Sequence, residues 1–80
     1  MDFRRVTVST VPGEHGQVLP VSFTLDGMTV EVISVLDRWY EGGTPGRPVV
    51  AYFKVAGSDG RRFILRHATV FDAWGACGVD

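Results

Sequence analysis

The stretch from Val21 to Tyr40, VSFTLDGMTVEVISVLDRWY, predicts a β-hairpin and sets the fold class of the chain. Asp26-Gly27 at its centre is typical of a two-residue type I′ turn, because both central positions need a positive φ. Pairing outward from this turn places six apolar residues on one face, since side chains alternate along a strand. The predicted pairs are Leu25 with Met28, Phe23 with Val30 and Val21 with Val32.

The alternation breaks after Val32, because Ile33, Val35 and Leu36 do not keep to one parity. Two explanations fit: a β-bulge near Ile33-Ser34 that re-aims the strand, or a strand that is covered on both faces. We favour the bulge, because bulges bend a sheet toward closure and so short a chain gains most from closure.

A second hairpin is predicted from Val49 to Arg66. Ser58-Asp59-Gly60 fits a three-residue loop that ends with glycine in the left-handed conformation. This choice predicts a second apolar face, made by the pairs Val55 with Phe63, Phe53 with Leu65 and Ala51 with His67. The opposite face then carries Tyr52, Lys54, Arg62, Ile64 and Arg66, and a cation–π contact is possible between Tyr52 and Arg66.

The remaining segments complete a chain of five or six short strands. Phe3 to Val11 reads as a half-buried strand at a sheet edge, and Glu41 to Pro48 as a loop. After Ala68, the segment from Val70 to Trp74 fits one helical turn, or Trp74 begins a last short strand. We expect one all-β domain over residues 1–80, a small, strongly bent antiparallel sheet or a partly open SH3-like or OB-like barrel. A plain meander completed by a dimer partner is the alternative.

Composition narrows the class of protein further. The 80 residues are 45% hydrophobic and 21% charged, which is typical of a globular domain. Eight basic residues against nine acidic ones give a formal net charge of −1, so no general attraction to nucleic acid or anionic membrane is expected. The N-terminus lacks a signal-peptide pattern and no apolar run approaches the ~20 residues of a membrane span. We therefore expect a cytoplasmic protein without a membrane partner.

Several short motifs are spread over both predicted hairpins and the segment after them. They are Val-Leu-Asp-Arg-Trp within Val32 to Trp39, Tyr52 to Val55, the Asp59-Gly60 turn, Phe63 to His67 and a late Trp74. Together they resemble a bacterial family whose domain has no known function. The resemblance covers roughly Val18 to Trp74. That family occurs as short stand-alone proteins and as a C-terminal tail on some polymerase-like mutagenesis subunits of actinobacteria. It implies a β domain and a distant link to DNA repair, and it implies no activity.

Aromatic residues and arginines provide the candidate binding group, because these types are favoured anchors where protein partners bind. The group is Arg38, Trp39, Tyr40, Tyr52, Arg66 and Trp74. In the alternative interpretation Trp39 closes one end of the core, while Asp37 and Arg38 form local ion pairs.

A nucleic-acid interface is the competing hypothesis. It uses Lys54, Arg61 and Arg62, with Arg66 and Tyr52 beside them, as single-strand binders combine basic and aromatic side chains. The same residues also fit a merely solvated strand face. A third hypothesis is a homodimer formed by an exposed edge strand.

Chemistry is not indicated anywhere in the chain. His15, His67, Asp72 and Cys77 show no zinc spacing, so we predict no metal and no cofactor. The serines and Cys77 have no distinguishing base beside them, so we predict no catalytic residue. The sequence thus favours a non-enzymatic module that binds an unidentified protein partner, with nucleic-acid binding and homodimerisation as alternatives.

Overall fold

The chain forms a closed, six-stranded antiparallel β-barrel, as seen in a computed structural model that describes residues 2–79. The strands are β1 (Arg4–Pro12), β2 (Val18–Leu25), β3 (Met28–Glu41), β4 (Val50–Gly57), β5 (Arg62–Ala68) and β6 (Ala73–Val79). Each strand pairs with the next in sequence, and β6 returns to β1. The prediction of a small all-β barrel is confirmed. Over this described range, no helix has the length and apolar character needed to cross a membrane.

The first hairpin has the predicted register near its turn and departs from it further out. Leu25 pairs with Met28 and Phe23 with Val30, and Asp26 has the positive φ that the turn requires. The predicted pair of Val21 with Val32 is wrong, because the ladder between β2 and β3 ends at Ser22–Glu31. Val21 is instead an extra residue in the β1–β2 ladder, and 39% of its surface is exposed.

Strand β3 is long and passes from one partner to another. It pairs with β2 up to Glu31 and with β4 from Val32 onward. The register shifts twice along it, at Ile33 and again at Leu36, which confirms the predicted bulge near Ile33-Ser34. Because bulges bend a strand, β3 turns away from β2 at this point, and the two strands part.

The second hairpin follows the predicted register throughout, including Val55 with Phe63 and Ala51 with His67. The end of the chain is a strand, β6, and the alternative of a helical turn is wrong. The prediction that the first strand lies at a sheet edge is also wrong. Residues 4–6 of β1 pair with β6, and residues 7–12 of the same strand pair with β2. Closure of the barrel is what removes this edge.

The core occupies the barrel interior. Its four largest fully buried side chains are Phe23, Phe63, Leu65 and Val55. The rings of Phe23 and Phe63 meet edge to face, with their centroids 5.0 Å apart. Edge-to-face contacts of this kind add to the stability that apolar burial provides.

The up-and-down topology gives the barrel two different ends. The turn end carries the Asp26-Gly27 turn and the Ser58–Gly60 turn. The loop end carries the three other connections, residues 13–17, 42–49 and 69–72. A short 3-10 turn, Glu14–Gly16, lies in the first of these three.

Candidate binding site

The structure divides the predicted binding group among three places. Trp39, Tyr52 and Arg66 are cross-strand neighbours on the outer face of β3, β4 and β5. The rings of Trp39 and Tyr52 stack with centroids 5.3 Å apart and planes 3° from parallel, and Phe3 contacts Tyr52 at 6.2 Å. Tyr52 therefore packs on its aromatic neighbours, and the cation–π contact with Arg66 that the sequence allowed is absent among residues 2–79.

Arg38 and Tyr40 point to the opposite side of β3, because they pair with the inward-facing Phe53 and Ala51. The Arg38 guanidinium lies 5.6 Å from the Phe53 ring centroid. Its Nη1 donates a hydrogen bond of 2.7 Å to Oε1 of Gln17. This bond joins β3 to the loop before β2, across the gap that opens where the two strands part.

Trp74 does not belong to any exposed group, which corrects the sequence-based interpretation. Only 8% of its surface is accessible, and it packs inside the barrel between Phe53 and His67. The sequence around Trp74 does not show whether its side chain points into or out of the barrel. That depends on the residue at which β6 begins after the loop 69–72.

The basic residues of the nucleic-acid hypothesis do not form one free strip. Arg61 is held by Asp59, with Nε 2.7 Å from Oδ2, and its guanidinium lies over the Phe63 ring at 5.0 Å. Lys54 lies opposite the acidic Asp37 in the register of β3 and β4. Arg62 is exposed near the turn end. Nucleic-acid binding stays a prediction, and no contact among residues 2–79 favours it.

Asp59 also binds the backbone of Arg61 at the turn end. Its carboxylate accepts hydrogen bonds from the backbone N–H and from the side chain of Arg61, at 3.0 and 2.7 Å. The backbone bond first, and then the side-chain bond, lower the pKa of Asp59 below its usual value. Ser58 completes the closure by exchanging hydrogen bonds with the backbone of Glu31.

The loop end, in contrast, opens into a cleft of about 260 Å³. Its lining includes Val18, Tyr40, Ala51, Phe53, His67 and Thr69. The walls are therefore mainly apolar, with a few polar groups at fixed places, which is the usual make-up of a binding site. We call this feature the loop-end cleft.

His67 is the buried polar residue of this cleft, with 7% of its surface exposed. Its Nε2 lies 2.8 Å from Oδ1 of Asp72, and its ring stacks on Trp74 with centroids 4.0 Å apart and planes 9° from parallel. Asp72 has a φ of 48°, and its side chain is 86% exposed. Two neighbours thus fix the orientation of the His67 imidazole ring.

A second cleft, of about 420 Å³, lies on the far side of Trp74, where β1 parts from β6. Its walls include the polar side chains of Arg5, Thr7 and Thr10. This cleft is larger than the first, but it has no buried polar group held at a fixed position.

Exposed apolar residues beside the loop-end cleft were missed by the sequence analysis. Val49 is 38% exposed, Val70 67% and Phe71 75%. The hydroxyl of Thr69 donates to the carbonyl oxygen of Val49 at 2.9 Å, so two of the three loops are joined. The missed signal was a pair of large apolar residues inside a four-residue connection, where polar turn residues are the rule.

Two features would indicate chemistry in the described part of the chain, a metal-ligand cluster and a nucleophile–base pair. Residues 2–79 contain no cluster of three or more side chains suited to hold a metal ion. Within the same range, the only hydrogen bond of the His67 side chain is with Asp72, so no serine or cysteine pairs with this base. The fold and site define a small antiparallel barrel with one open end. No family model, no curated protein and no solved structure matches the chain.

Proposed function

We propose that this chain is a non-enzymatic protein-interaction module whose partner binds at the loop end of the barrel. The observation that carries the proposal is the group Val49, Val70 and Phe71, which stands exposed on two joined loops beside the loop-end cleft. Val49 and Val70 line one surface pocket, and Phe71 follows Val70 in the chain. An exposed apolar patch next to a cleft is characteristic of interaction sites, whereas single exposed apolar residues are common everywhere.

Rigid support adds to this argument. The turn that carries Val70 and Phe71 is closed by backbone hydrogen bonds from Phe71 to Ala68 and from Asp72 to Thr69, at 3.2 and 3.4 Å. A turn whose backbone is already ordered loses less conformational entropy when a partner covers it. More of the hydrophobic free energy gained by burying Val70 and Phe71 is then available for binding.

Two residues of the predicted contact group fit this surface. Tyr40 lines the loop-end cleft and is 48% exposed, and Arg38 borders it through Gln17. Trp39, Tyr52 and Arg66 lie on the outer face and are not required. The resemblance to the bacterial family supports an action in the bacterial cytoplasm and makes a DNA-repair protein a suitable first partner to test.

The test is a capture experiment with matched variants. Wild-type protein, the double variant Val70→Ser/Phe71→Ser and the control Met28→Ser are immobilised and exposed to lysate of the source cells. Met28 is a suitable control, because it is 69% exposed at the turn end. We expect wild type and Met28→Ser to retain the same partner equally, and the double variant to retain at least about tenfold less of it. A loss of about 1.4 kcal/mol of binding free energy corresponds to this factor of ten. Equal retention by all three proteins, or no retained protein, contradicts the proposal.

Homodimerisation is a second candidate, favoured by one observation at the middle of the barrel. Ile33 and Leu36, the two bulged residues of β3, are 66% and 50% exposed where β3 has left β2. An apolar strand without a neighbour on one side is a template for pairing with another chain. Sedimentation of the free protein distinguishes the two: a dimer that Leu36→Lys dissociates supports this candidate, and a monomer at all concentrations contradicts it.

A further inference from the structure

We infer that the loop-end cleft receives the phenol ring of a tyrosine from the protein partner, whose hydroxyl donates a hydrogen bond to Nδ1 of His67. The inference rests on the proposed function and names the chemistry of the side chain that enters the cleft. It follows from the hydrogen-bonding state of His67, the rigidity of its ring and the size of the space before it.

Asp72 decides what His67 offers to a ligand. A carboxylate only accepts hydrogen bonds, so the contact of 2.8 Å places a proton on Nε2 of His67. In the neutral imidazole the other nitrogen, Nδ1, then carries a lone pair and can only accept. Within residues 2–79 the Nδ1 atom has no hydrogen-bond partner. The cleft therefore presents an acceptor that a ligand hydroxyl can satisfy.

The imidazole ring is held before any ligand arrives. Trp74 stacks on one face of it, and Asp72 fixes its edge. An oriented acceptor gains more from a hydrogen bond than a mobile one, because its ring has already been ordered by folding. Among residues 2–79 no buried side-chain nitrogen or oxygen lacks a partner, so Nδ1 is open to solvent and within reach of a ligand. A ligand without a donor would displace water from Nδ1 and leave it without a hydrogen bond.

The space in front of His67 suits one aromatic ring. Its volume of about 260 Å³ lies below the ~300–1,000 Å³ usual for drug-sized ligands. Phe53 and Tyr40 supply aromatic walls, with which another ring can make edge-to-face or offset contacts. Tyrosine combines an apolar ring with a terminal O–H donor. A lysine or arginine donor would carry its charge into this apolar space, next to the cation of Arg38.

The first test compares three probes on the wild-type protein. p-Cresol carries the tyrosine ring and hydroxyl, 4-methylanisole replaces the O–H with O–CH3, and toluene lacks the oxygen. Each is titrated while amide chemical shifts are followed by NMR. We expect saturable shifts at Ala51, Thr69 and their neighbours, with p-cresol binding at least about fivefold more tightly than either control, as one net hydrogen bond predicts. Binding of p-cresol no tighter than toluene overturns the inference, as does a lack of saturable shifts around the cleft.

The second test is the variant His67→Phe, which keeps a ring against Trp74 and removes the acceptor. Its amide spectrum first reports whether the barrel is retained. In a folded variant we expect the preference for p-cresol over toluene to disappear, and an unchanged preference overturns the role of Nδ1. If the variant does not fold, the probe comparison on wild type decides alone.

The two proposals fail in different ways. A partner that depends on Phe71, together with no selective p-cresol binding, means that only the tyrosine inference is wrong. Selective p-cresol binding without any partner that depends on Phe71 means that the loop-end cleft takes free phenols, so both the proposed function and the tyrosine source are wrong.

Discussion

The turn end and the loop end of this barrel are built from the same six strands, yet one is sealed and the other is open. At the turn end, short turns fold back on the core, and Arg61 and Ser58 cover it with polar contacts. At the loop end, the connections are longer and two pairs of neighbouring strands separate. These pairs are β2 with β3 and β1 with β6. The difference shows that strand pairing, rather than the number of strands, decides where a small barrel offers a cleft.

The largest expected contrast between the ends lies in the contribution of a phenylalanine to folding. Phe63 is 1% exposed and touches Phe23 near the turn end, whereas Phe71 is 75% exposed at the loop end. We expect Phe63→Ala to lower the free energy of unfolding by about 3–5 kcal/mol, through lost burial and a cavity. Phe71→Ala should change it by no more than about 0.5 kcal/mol. Urea denaturation measures both, and similar losses would remove the distinction between the ends.

A smaller contrast concerns close packing near the turn end. A Cβ atom added at Gly57 would lie 2.8 Å from Cγ1 of Val30 and 3.2 Å from Cε2 of Phe63. We expect Gly57→Ala to lower the free energy of unfolding by about 1–3 kcal/mol, because the added methyl group overpacks the core and displaces its neighbours. Gly78, across the ladder from Phe63, has no atom within 4 Å of an added Cβ. The matched variant Gly78→Ala should therefore differ little from wild type in the same denaturation experiment, and equal losses would contradict the packing argument.

The smallest effect is expected from charge at the turn end. Because the pKa of Asp59 is lowered in the folded state, its ionised form stabilises the barrel above the ordinary pKa of an aspartate, about 4. This stabilisation is lost as the pH falls through the lowered pKa. The difference in unfolding free energy between wild type and Asp59→Asn should therefore be largest near neutral pH and should shrink below about pH 4. A difference that stays constant down to pH 2 would show that Asp59 acts through shape alone.

Local signals in the sequence were enough to predict the two hairpins. Asp26-Gly27 and Gly60 fixed the turns, and alternation around them fixed the pairs, because a shift by one residue would have turned every apolar side chain outward. The bulge at Ile33 was predicted because the alternation of apolar and polar residues breaks after Val32. What local patterns could not show is how far two strands remain together. The mistaken pair of Val21 with Val32, and the mistaken edge position of β1, both followed from this.

The candidate site was harder to predict than the fold. Trp74 and Arg38 were grouped with Trp39, Tyr52 and Arg66 by residue type, but the register of β3 and the start of β6 place these two on the inner side and the other three on the outer face. The pairing of His67 with Ala51 was predicted correctly. Its contact with Asp72 was not predicted, because it depends on the positive φ of Asp72 in a segment whose sequence also fits a helical turn. Val70 and Phe71 were placed only in a helical turn or before a last strand, and their exposure was not predicted, because apolar character alone does not report exposure.

The pairing of β1 with β6 also fixes how the module can be displayed. Arg4 is hydrogen-bonded to Asp26 of the first turn, and Val79 pairs with Arg62 next to the second turn. The start of β1 and the end of β6 therefore both lie on the turn-end side of the barrel. A tag, a surface anchor or a fused domain joined at either terminus would be attached on the turn-end side, so the loop end would stay uncovered by the attachment. Tandem copies on one scaffold would present their loop ends outward together, and an array of this kind could gain avidity for a multivalent partner without any new contact.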